Sequence, residues 1–562
     1  MNKHTVGLLE NHFETAFSAP DGLKKLRELI LTLAMQGKLV PRDPSEQPVG
    51  ELLKEIEAEK QRLVKEGKKK KSKPLSPVTE QERPYALPKA WRWVRFGEIA
   101  QHNSGKTLDG GRNTGVPRRY ITTSNVYWGE FQLNNVREML IREDELDKCS
   151  ARKGDLLICE GGEAGRAAVW ELPEEICFQN HVHRARLYRG VNQYFAFRFF
   201  EKINASGEIS NYRKGVGISN MSSKALASIA FPLPPSLEQH RIVAKIDELM
   251  ARCDELEKLR TAQQGACLAV HAAAIKQLLN IAEPGQHQRA HAFLAEHFGE
   301  LYTVKENVAE LRKAILQLAV MGKLVPQSPV DPPASELLQE IEAERRRLVE
   351  EGKIRKMAPL PPVTEEEKPY ALPQGWEWVR LGELGITQTG TTPPSNDREN
   401  YGDYIPFIGP GDIKNNGIDC SGNGLSERGL LRGRLIDKGS VLMVCIGGSI
   451  GKHAIAEQNI SCNQQINTLT PYNHASGKYL FYIMASAYFQ SAVNSRAGGS
   501  ATPIINKKKW SGIPVPFASV SEQCRIVSRI DQLMDLCDAL DQQIDSATTK
   551  QAQLLGAVMA QL

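Results

Sequence analysis

The feature that most limits how this chain can fold is a tryptophan-containing segment that occurs twice. Residues 85–98 read YALPKAWRWVRFGE, and residues 370–383 read YALPQGWEWVRLGE. Trp91 thus recurs as Trp376, an offset of 376 − 91 = 285 residues. Because a long repeat indicates a repeated structural unit, we expect two copies of one folding unit in this chain of 562 residues.

A second pair of matching segments shows that only part of each unit is repeated. Residues 238–250 read EQHRIVAKIDELM, residues 522–534 read EQCRIVSRIDQLM, and their offset is 522 − 238 = 284. Residues 101–230 and 386–513, the first and second variable segments, lie between the repeated parts and are mostly dissimilar. The period is far too long for a solenoid, so the pattern predicts a duplicated frame around two diverged middles.

The repeated parts carry helical patterns. Apolar residues from Ile526 to Val558 are spaced alternately by four and three, which predicts a long helix with a heptad seam. A helix of about 40 residues spans roughly 60 Å, and we predict that the two long helices pair as a spacer. The predicted seam consists of Ile526, Ile530, Leu533, Cys537, Leu540, Ile544, Ala547, Leu554 and Val558, and its earlier copy begins with Ile242, Ile246, Leu249, Cys253 and Leu256.

Two shorter helices are predicted in each copy, and their order along the chain is informative. The first pair is expected near residues 23–34 and 51–66, and the second lies within residues 306–350, after the central long helix. No such pair follows the last helix at 522–561. We therefore expect the N-terminal pair to supply the missing part, which would bring the two chain ends close together.

Each variable segment has the pattern of a compact α/β domain. Apolar strands run into glycines in GDLLICEGGEAGR at 154–166 and in GSVLMVCIGGSIGK at 439–452. The landmarks occur in the same order in both, so we predict a shared fold with different surface residues. The whole chain is then α+β: two α/β domains separated by a long antiparallel coiled coil, in a circular arrangement with pseudo-twofold symmetry.

Motifs of common enzyme sites fail when their spacing is checked. The segment at 447–453, GGSIGKH, lacks the first glycine of a phosphate-binding loop and the Ser or Thr after its lysine. The segment DPPA at 331–334 lacks the aromatic residue of the amino-methyltransferase signature that it partly matches. His181 and His183 have no second ligand cluster nearby in sequence, and we expect one strand to place both imidazoles on one surface. We predict no catalytic residue and no metal site.

Composition narrows the class of protein. The chain is 41% hydrophobic and 24% charged, and no run of 18 apolar residues predicts a membrane span. Its ten cysteines form no Cys-x-x-Cys motif, which favours reduced thiols and a cytoplasmic location. The net charge of +5 permits a nucleic-acid partner without requiring one.

The motifs taken together resemble one family. The duplicated LPxxWxWVRxGEL-like segment, the EQxRIVxxID start of each long helix and two diverged middles are similar to the specificity (S) subunit of Type I restriction–modification enzymes. The segments GKLVPQ at 322–327 and ELLQEIEAERRRLV at 336–349, with their first copies, are also typical of it. The resemblance covers nearly the whole chain.

The resemblance implies a non-catalytic subunit whose variable segments belong to target recognition domains. Each domain would read one half of a split, asymmetric DNA site, while antiparallel helices set the spacing and dock two modification (methyltransferase) subunits. Implied partners are double-stranded DNA, those two subunits and restriction (translocase/nuclease) subunits, with no membrane. S-adenosylmethionine, ATP and Mg would be bound by partner subunits and no cofactor by this chain, in a bacterial or archaeal cytoplasm.

These expectations divide the chain into five parts. Recognition domain 1 and recognition domain 2 are joined by repeated helical regions. The parts are an N-terminal helical region and linker (1–84), recognition domain 1 (85–236), a central helical region and linker (237–369), recognition domain 2 (370–520) and a C-terminal helix (521–562).

Candidate DNA contacts are polar and basic residues on the glycine-bounded loops. Arg, Lys, Asn, Gln, Ser and Thr are the side chains that read base edges or bind phosphates, and loops present them to a ligand. The first variable segment offers Lys106, Thr107, Arg118, Arg119, Asn125, Arg166, Asn180, Lys214, Ser219 and Asn220, and the second offers Thr391, Thr392, Lys414, Asn415, Lys452, Gln464, Lys507 and Lys508.

Three alternatives remain open from sequence. The subunit could serve a methyltransferase without a nuclease partner, the chain could be a coiled-coil scaffold that does not bind DNA, or it could be a self-contained enzyme, which the failed motifs disfavour. The repeated tryptophans are predicted to be packing anchors rather than base-stacking platforms. These are Trp91, Trp93, Trp376 and Trp378.

Overall fold

The computed structural model describes residues 7, 11, 13–67, 73–109, 111, 113–214, 219–280, 284–356, 358–414, 417–472, 475–499 and 502–560. The chain divides into two compact units. Unit 1 contains Met1–Ala262 and Ala547–Leu562, and unit 2 contains Gln263–Ser546. Each unit therefore holds one variable segment, as the repeat predicts. No helix within the described ranges is both long enough and apolar enough to cross a membrane.

The helices of unit 1 belong to the frame or to the first variable segment. They are α1 (Gly22–Met35), α2 (Val49–Lys65), α3 (Phe96–Ile99), α4 (Leu146–Cys149), α5 (Gln193–Ala205), α6 (Ser223–Ser228) and α7 (Ser236–Leu279), which continues into unit 2. The predicted helices at 23–34 and 51–66 are confirmed as α1 and α2.

The helices of unit 2 follow a similar order, except that α13 and α14 stand where unit 1 has the single helix α5. They are α8 (Pro284–Glu296), α9 (Phe298–Leu301), α10 (Lys305–Val320), α11 (Ala334–Glu350), α12 (Glu427–Arg432), α13 (Gly477–Ala485), α14 (Ala487–Arg496), α15 (Lys507–Ser511) and α16 (Val520–Ala560), whose last residues belong to unit 1. Both long helices, α7 and α16, are confirmed. Their antiparallel pairing stays a prediction.

The strands of unit 1 form a central sheet in the order β2-β10-β6-β8, a second sheet in the order β4-β3-β9-β5, and the pairs β1-β12 and β7-β11. Their bounds are β1 (Arg92–Arg95), β2 (Ala100–Ser104), β3 (Val116–Ile121), β4 (Arg137–Ile141), β5 (Ser150–Ala151), β6 (Leu156–Cys159), β7 (Gly161–Gly162), β8 (Ala167–Val169), β9 (Ile176–Phe178), β10 (Val182–Leu187), β11 (Ser219–Asn220) and β12 (Ala230–Leu233).

Unit 2 has an equivalent central sheet and an equivalent strand pair at the frame, whereas its second sheet has three strands instead of four and its β16-β17 hairpin has no counterpart among the described strands of unit 1. Its central sheet has the order β14-β22-β19-β20, its second sheet β18-β15-β21, and β13 pairs with β23 and β16 with β17. The bounds are β13 (Glu377–Arg380), β14 (Gly385–Thr389), β15 (Tyr401–Ile408), β16 (Ile413–Lys414), β17 (Gly417–Ile418), β18 (Gly424–Leu425), β19 (Val441–Val444), β20 (His453–Ile455), β21 (Ser461–Cys462), β22 (Ile466–Pro471) and β23 (Pro514–Phe517).

The matching orders of the two central sheets confirm that the two variable segments share a fold. The apolar runs LLIC and VLMV form β6 and β19, and all their residues are buried. Continuous apolar strands of this kind are expected where both faces of a sheet are covered. In each unit the strand before the variable segment pairs with the strand after it: β1 with β12, and β13 with β23. Each variable segment therefore leaves the frame and returns to it at the same place.

Trp91 and Trp376 are confirmed as packing anchors. Trp91 is buried and its indole Nε1–H donates to Glu238 Oε2 at 2.9 Å. Trp376 donates to Glu522 Oε2 at the same distance. Gly37 follows α1 with φ +65° and packs against the ring of Trp91. A Cβ at position 37 would lie 2.6 Å from Pro88 Cγ. The tryptophans thus join each Pro-rich linker to the start of a long helix.

The other repeated tryptophans also pack within the frame. Trp93 contacts the ring of Tyr85 at a centroid distance of 5.1 Å, and Trp378 contacts Tyr370 at 5.2 Å. The indole nitrogens of both tryptophans are buried. These rings are therefore turned toward protein, as the sequence predicts.

A buried arginine fastens each linker to its variable segment. Arg95 donates to both carboxylate oxygens of Glu82 at 2.8 Å and to the carbonyl of Ser228 at 2.8 Å. Arg380 makes the same contacts with Glu367 at 2.7 Å. The hydrogen bond from the arginine is the main cause that lowers the pKa of Glu82, and likewise of Glu367, to about 2.

The N-terminal hairpin region and the last described turns of α16 meet in the core of unit 1. Leu555 and Val558 of α16 are buried in one cluster with Ala16, Phe17 and Leu29. In unit 2, the corresponding stretch of α7 is buried in the cluster that contains α10. The prediction that the N-terminal hairpin completes the last helix is therefore confirmed.

The heptad seam is wrong in detail. Ala547 and Leu256 are exposed, although the seam includes both. At the end of α16 the more deeply buried leucine is Leu555, next to the predicted Leu554, because this part of the helix packs against α1. Contacts with the hairpin therefore decide which residues are buried there.

We predict that a circular permutant will fold. Met1 and Leu562 are joined through a short Gly/Ser linker and the chain is opened between Arg355 and Lys356, which are exposed. Because Phe17 and Leu29 already share a core cluster with Leu555 and Val558, its melting temperature should stay within about 5 °C of the parent, as measured by circular dichroism. Loss of cooperative unfolding, or of assembly with modification subunits, would contradict this arrangement.

The arginine–glutamate pairs predict a pH dependence of stability. A carboxyl group whose pKa falls from 4.5 to about 2 on folding stabilises the fold above pH 4.5 and loses that contribution as pH falls toward 2. Glu82→Gln should therefore lower the melting temperature at pH 7 and do so progressively less between pH 5 and 3. Glu367→Gln is the matched variant in unit 2, and a pH-independent difference in both would exclude this linkage.

Candidate nucleic-acid interface

The predicted loops of the first variable segment meet at one end of its central sheet. The chain leaves β2 at Ser104, and the Lys106 amide donates to the carbonyl of Phe178 at 3.0 Å. The Asn180 amide donates back to the carbonyl of Lys106 at 3.0 Å. The Gln179 amide donates to Ile121 at 2.9 Å, which places the end of β3 beside this pair of loops.

The hairpin between β6 and β8 extends the same surface. Arg166 donates through Nη2 to the carbonyl of Thr123 at 2.7 Å, and its guanidinium lies 5.0 Å from the ring of Tyr127. Arg166 also lies 3.3 Å from Glu163. Its charge is thus held over the turn that follows β3.

The loop before α6 completes the cluster. Asn220 pairs with Lys214 and with Gly161, so β11 lies along the hairpin. The Met221 amide donates to the carbonyl of Glu160 at 2.8 Å. Lys214 is exposed and Asn220 half-buried. The backbone of Ser219 lies in β11, and its side chain lies outside the described residues.

Two predicted contacts have their polar groups occupied within the fold. Asn125 is buried, accepts from the amide of Thr122 at 2.9 Å and donates to the carbonyl of Gln132 at 2.9 Å. Lys106 Nζ lies 2.5 Å from Glu145 Oε1 and lowers the pKa of that carboxyl. The first residue shapes a turn, and the second carries a charge that a neighbour already balances.

Arg118 and Arg119 lie on β3, are exposed, and point to opposite faces because side chains alternate along a strand. Thr107 is exposed on the loop after β2. The fold therefore brings Thr107 to the cluster. Of Arg118 and Arg119, only one can face the same ligand, because the two side chains point to opposite faces of the sheet.

The second variable segment builds the same cluster from different residues. The Thr391 amide donates to Cys462 at 2.9 Å, and Thr392 Oγ1 donates to Gln464 Oε1. The carbonyl of Lys452, which is exposed, accepts from Val444 at 2.8 Å. Hydrogen bonds equivalent to these place Lys452 where the first segment has Arg166, and Gln464 where it has Asn180.

The remaining lysines of this segment differ in exposure. Lys414 is exposed on the hairpin β16-β17, and Asn415 lies outside the described residues. Lys508 is exposed on α15, whereas Lys507 is half-buried and donates to the carbonyl of Thr387 at 3.4 Å. Lys507 is thus turned toward the central sheet.

One residue that the sequence analysis missed belongs to this surface. Arg434 is exposed and donates through Nε to Thr391 Oγ1 at 3.1 Å. It follows α12, and no glycine-bounded loop motif marks it. Only the fold shows that this segment returns to the loop after β14.

The two histidines separate in the structure, so the expected shared surface is wrong. His183 is fully buried on β10, and its Nε2 lies 2.9 Å from the carbonyl of Met221. Burial lowers the pKa of His183, which favours the neutral imidazole. His181 lies in the turn before β10 and is exposed. Among the described residues, no group of three or more metal-binding side chains is present.

Comparisons with known proteins agree on one family. The family model of the Type I restriction modification DNA specificity domain matches residues 88–264 and 373–548. The Type I restriction enzyme EcoAI specificity subunit of Escherichia coli is 33% identical, with 96% of this chain and 93% of that protein covered. The EcoEI specificity subunit of the same species is 30% identical, with the same coverage. The crystal structure of the HsdS subunit from Thermoanaerobacter tengcongensis matches 85% of this chain and 98% of that chain, at 19% identity and a TM-score of 0.42.

Proposed function

The chain belongs to the Type I restriction–modification DNA specificity family, and we propose that its two loop clusters read the two halves of a split DNA site. It is a specificity subunit with two recognition domains. The observation that carries the proposal is that one central-sheet order, on one repeated frame, presents two clusters of different polar residues. Two unlike readers fit two unlike half-sites.

The chemistry of the clusters suits DNA. Positive charge for binding phosphates comes from Arg166, Lys214 and Lys452. Hydroxyl and amide groups that can bind base edges come from Thr392 and Gln464. Turn amides lie among them, and these also bind phosphates.

The frame supplies the second half of the proposal. Readers on the same side of B-DNA should be about one helical turn, or 10 base pairs, apart. If each reads three or four pairs, about six or seven unread pairs separate the half-sites. We propose that α7 and α16 hold this separation and dock two modification subunits, with restriction subunits joining them. S-adenosylmethionine, ATP and Mg belong, in this proposal, to those partners.

Exchange of one variable segment tests the proposal. Residues 101–230 are replaced by the equivalent segment of another family member, and methylated adenines are mapped in cells that contain the modification subunits. Only one half of the recognised motif should change, since the second variable segment is untouched. Exchange of residues 386–513 is the matched control and should change only the other half. A single unsplit motif, or a change in both halves, would contradict two independent readers.

Salt dependence of binding tests the phosphate contacts. Lys214→Ala and Lys452→Ala should each reduce the slope of log K against log salt by about 0.9 for a lost phosphate contact. Binding of the purified assembly to labelled DNA is measured between 50 and 200 mM salt, about the range over which such contacts are resolved. Lys54→Ala, at a 74% exposed side chain on α2, is the control and should leave the slope unchanged. A flat response in the parent would favour a scaffold that does not bind DNA.

A further inference from the structure

Arg184 is a fully buried arginine in the middle of the central sheet of the first variable segment. Its Nη1 donates to the carbonyl of Asp147 at 3.0 Å and to that of Ser150 at 2.5 Å. When the Asn103 amide is oriented so that its nitrogen donates to the carbonyl of His102, its oxygen accepts from Arg184 Nη2 at 2.8 Å. One side chain therefore joins β10, β2 and the segment that leads from α4 into β5.

The guanidinium has an unusual environment for a buried charge. Within the described parts of the chain, no carboxylate lies at ion-pair distance from it, and its Nε lacks a hydrogen-bond partner. Burial lowers the pKa of Arg184 to about 10. Because an uncompensated buried charge costs free energy, an apolar residue at this position would serve sheet stability alone better. What an apolar residue could not supply is the set of hydrogen bonds that Arg184 donates to Asp147, Ser150 and Asn103.

Those contacts converge on the loop that follows β2. Asn103 lies three residues before Lys106, and Asp147 lies two residues after Glu145. Lys106 Nζ lies 2.5 Å from Glu145 Oε1, which closes a ring of contacts around the loop. The loop is thus held at its start by Asn103 and at Lys106 by Glu145, and Arg184 binds the chain beside both.

The second variable segment holds its equivalent loop in another way. By sheet register, Thr468 occupies the position of Arg184, and its buried hydroxyl has no hydrogen-bond partner among the described residues. Arg434 instead reaches Thr391 from outside, and Tyr401 donates to the carbonyl of Pro393 at 2.9 Å. Arg184 is therefore a feature of one recognition domain and not of the shared frame.

We propose that Arg184 is a positioning residue that sets the base preference of recognition domain 1 by holding the loop at 104–109. The proposal rests on the proposed function, since it assumes that this loop faces DNA. Arg184 itself is buried and does not touch the ligand. Its effect on base preference is limited to the half-site read by recognition domain 1. The half-site read by recognition domain 2 therefore serves as an internal control in the same molecule.

The test maps methylated adenines in cells that produce the full chain with its modification subunits. Arg184→Met removes the clamp, and Glu145→Gln weakens the hold on Lys106 without altering a fully buried charge. Arg186→Met is the matched control, because Arg186 lies two residues along the same strand and face but pairs with Asp155 at 2.7 Å and 2.8 Å. Thermal unfolding of each purified chain shows whether it folds.

We expect Arg184→Met and Glu145→Gln to lower base discrimination in the half-site of domain 1 by about fivefold or more, the low end of one good side-chain contact. The half-site of domain 2 should be unchanged in both, and Arg186→Met should change neither. If Arg184→Met does not fold, Glu145→Gln decides the question. Unchanged discrimination in a folded Arg184→Met, or in Glu145→Gln where Arg184→Met does not fold, would overturn the proposal, and so would equal loss in both half-sites. A parent that methylates no split motif would instead overturn the proposed function, and this inference with it.

Discussion

The hydrogen bond from Trp91 to Glu238 is the contact on which the arrangement of this protein depends, and its repeat joins Trp376 to Glu522. It connects a Pro-rich linker to the first turn of a long helix, at the point where the variable segment leaves and returns. A hydrogen bond to a charged acceptor contributes about 1.5–3 kcal/mol to stability. The indole ring of the tryptophan also buries a large apolar area. The position of each variable segment is therefore set by contacts in the repeated frame, outside the variable loops.

The two copies of this contact are not identical. Glu522 also accepts from Gln327 at 2.6 Å, so both of its oxygens are paired. Glu238 is buried with one oxygen lacking a hydrogen-bond partner, and burial raises the pKa of Glu238. The frame has thus diverged in its polar details while its geometry stayed common to both copies. The loops have diverged further, although the order of the central sheet is the same in both units.

Much of the frame could be predicted because its signals are local. The ends of α1 and α2 agree with their predicted positions within two residues, since glycine and proline mark them in sequence. The site could be predicted only in part. The fold brings the glycine-bounded loops together, and their contact with DNA stays a prediction. Asn125 is buried and Lys106 is paired, because both depend on residues that come close only after folding. Arg434 was missed for the same reason.

The sequence by itself determined that the chain is duplicated, which parts form helices, and where the two variable segments start and end. These properties follow from periodicity and repetition, which need no knowledge of distant contacts. Only the tertiary structure decided which side chains of the loops stay exposed, and that Leu555, which lies outside the predicted seam, packs in the cluster with Phe17. Such contacts join residues hundreds of positions apart, and hydrogen bonding and burial at these positions depend on the packing of whole elements rather than on neighbouring residues.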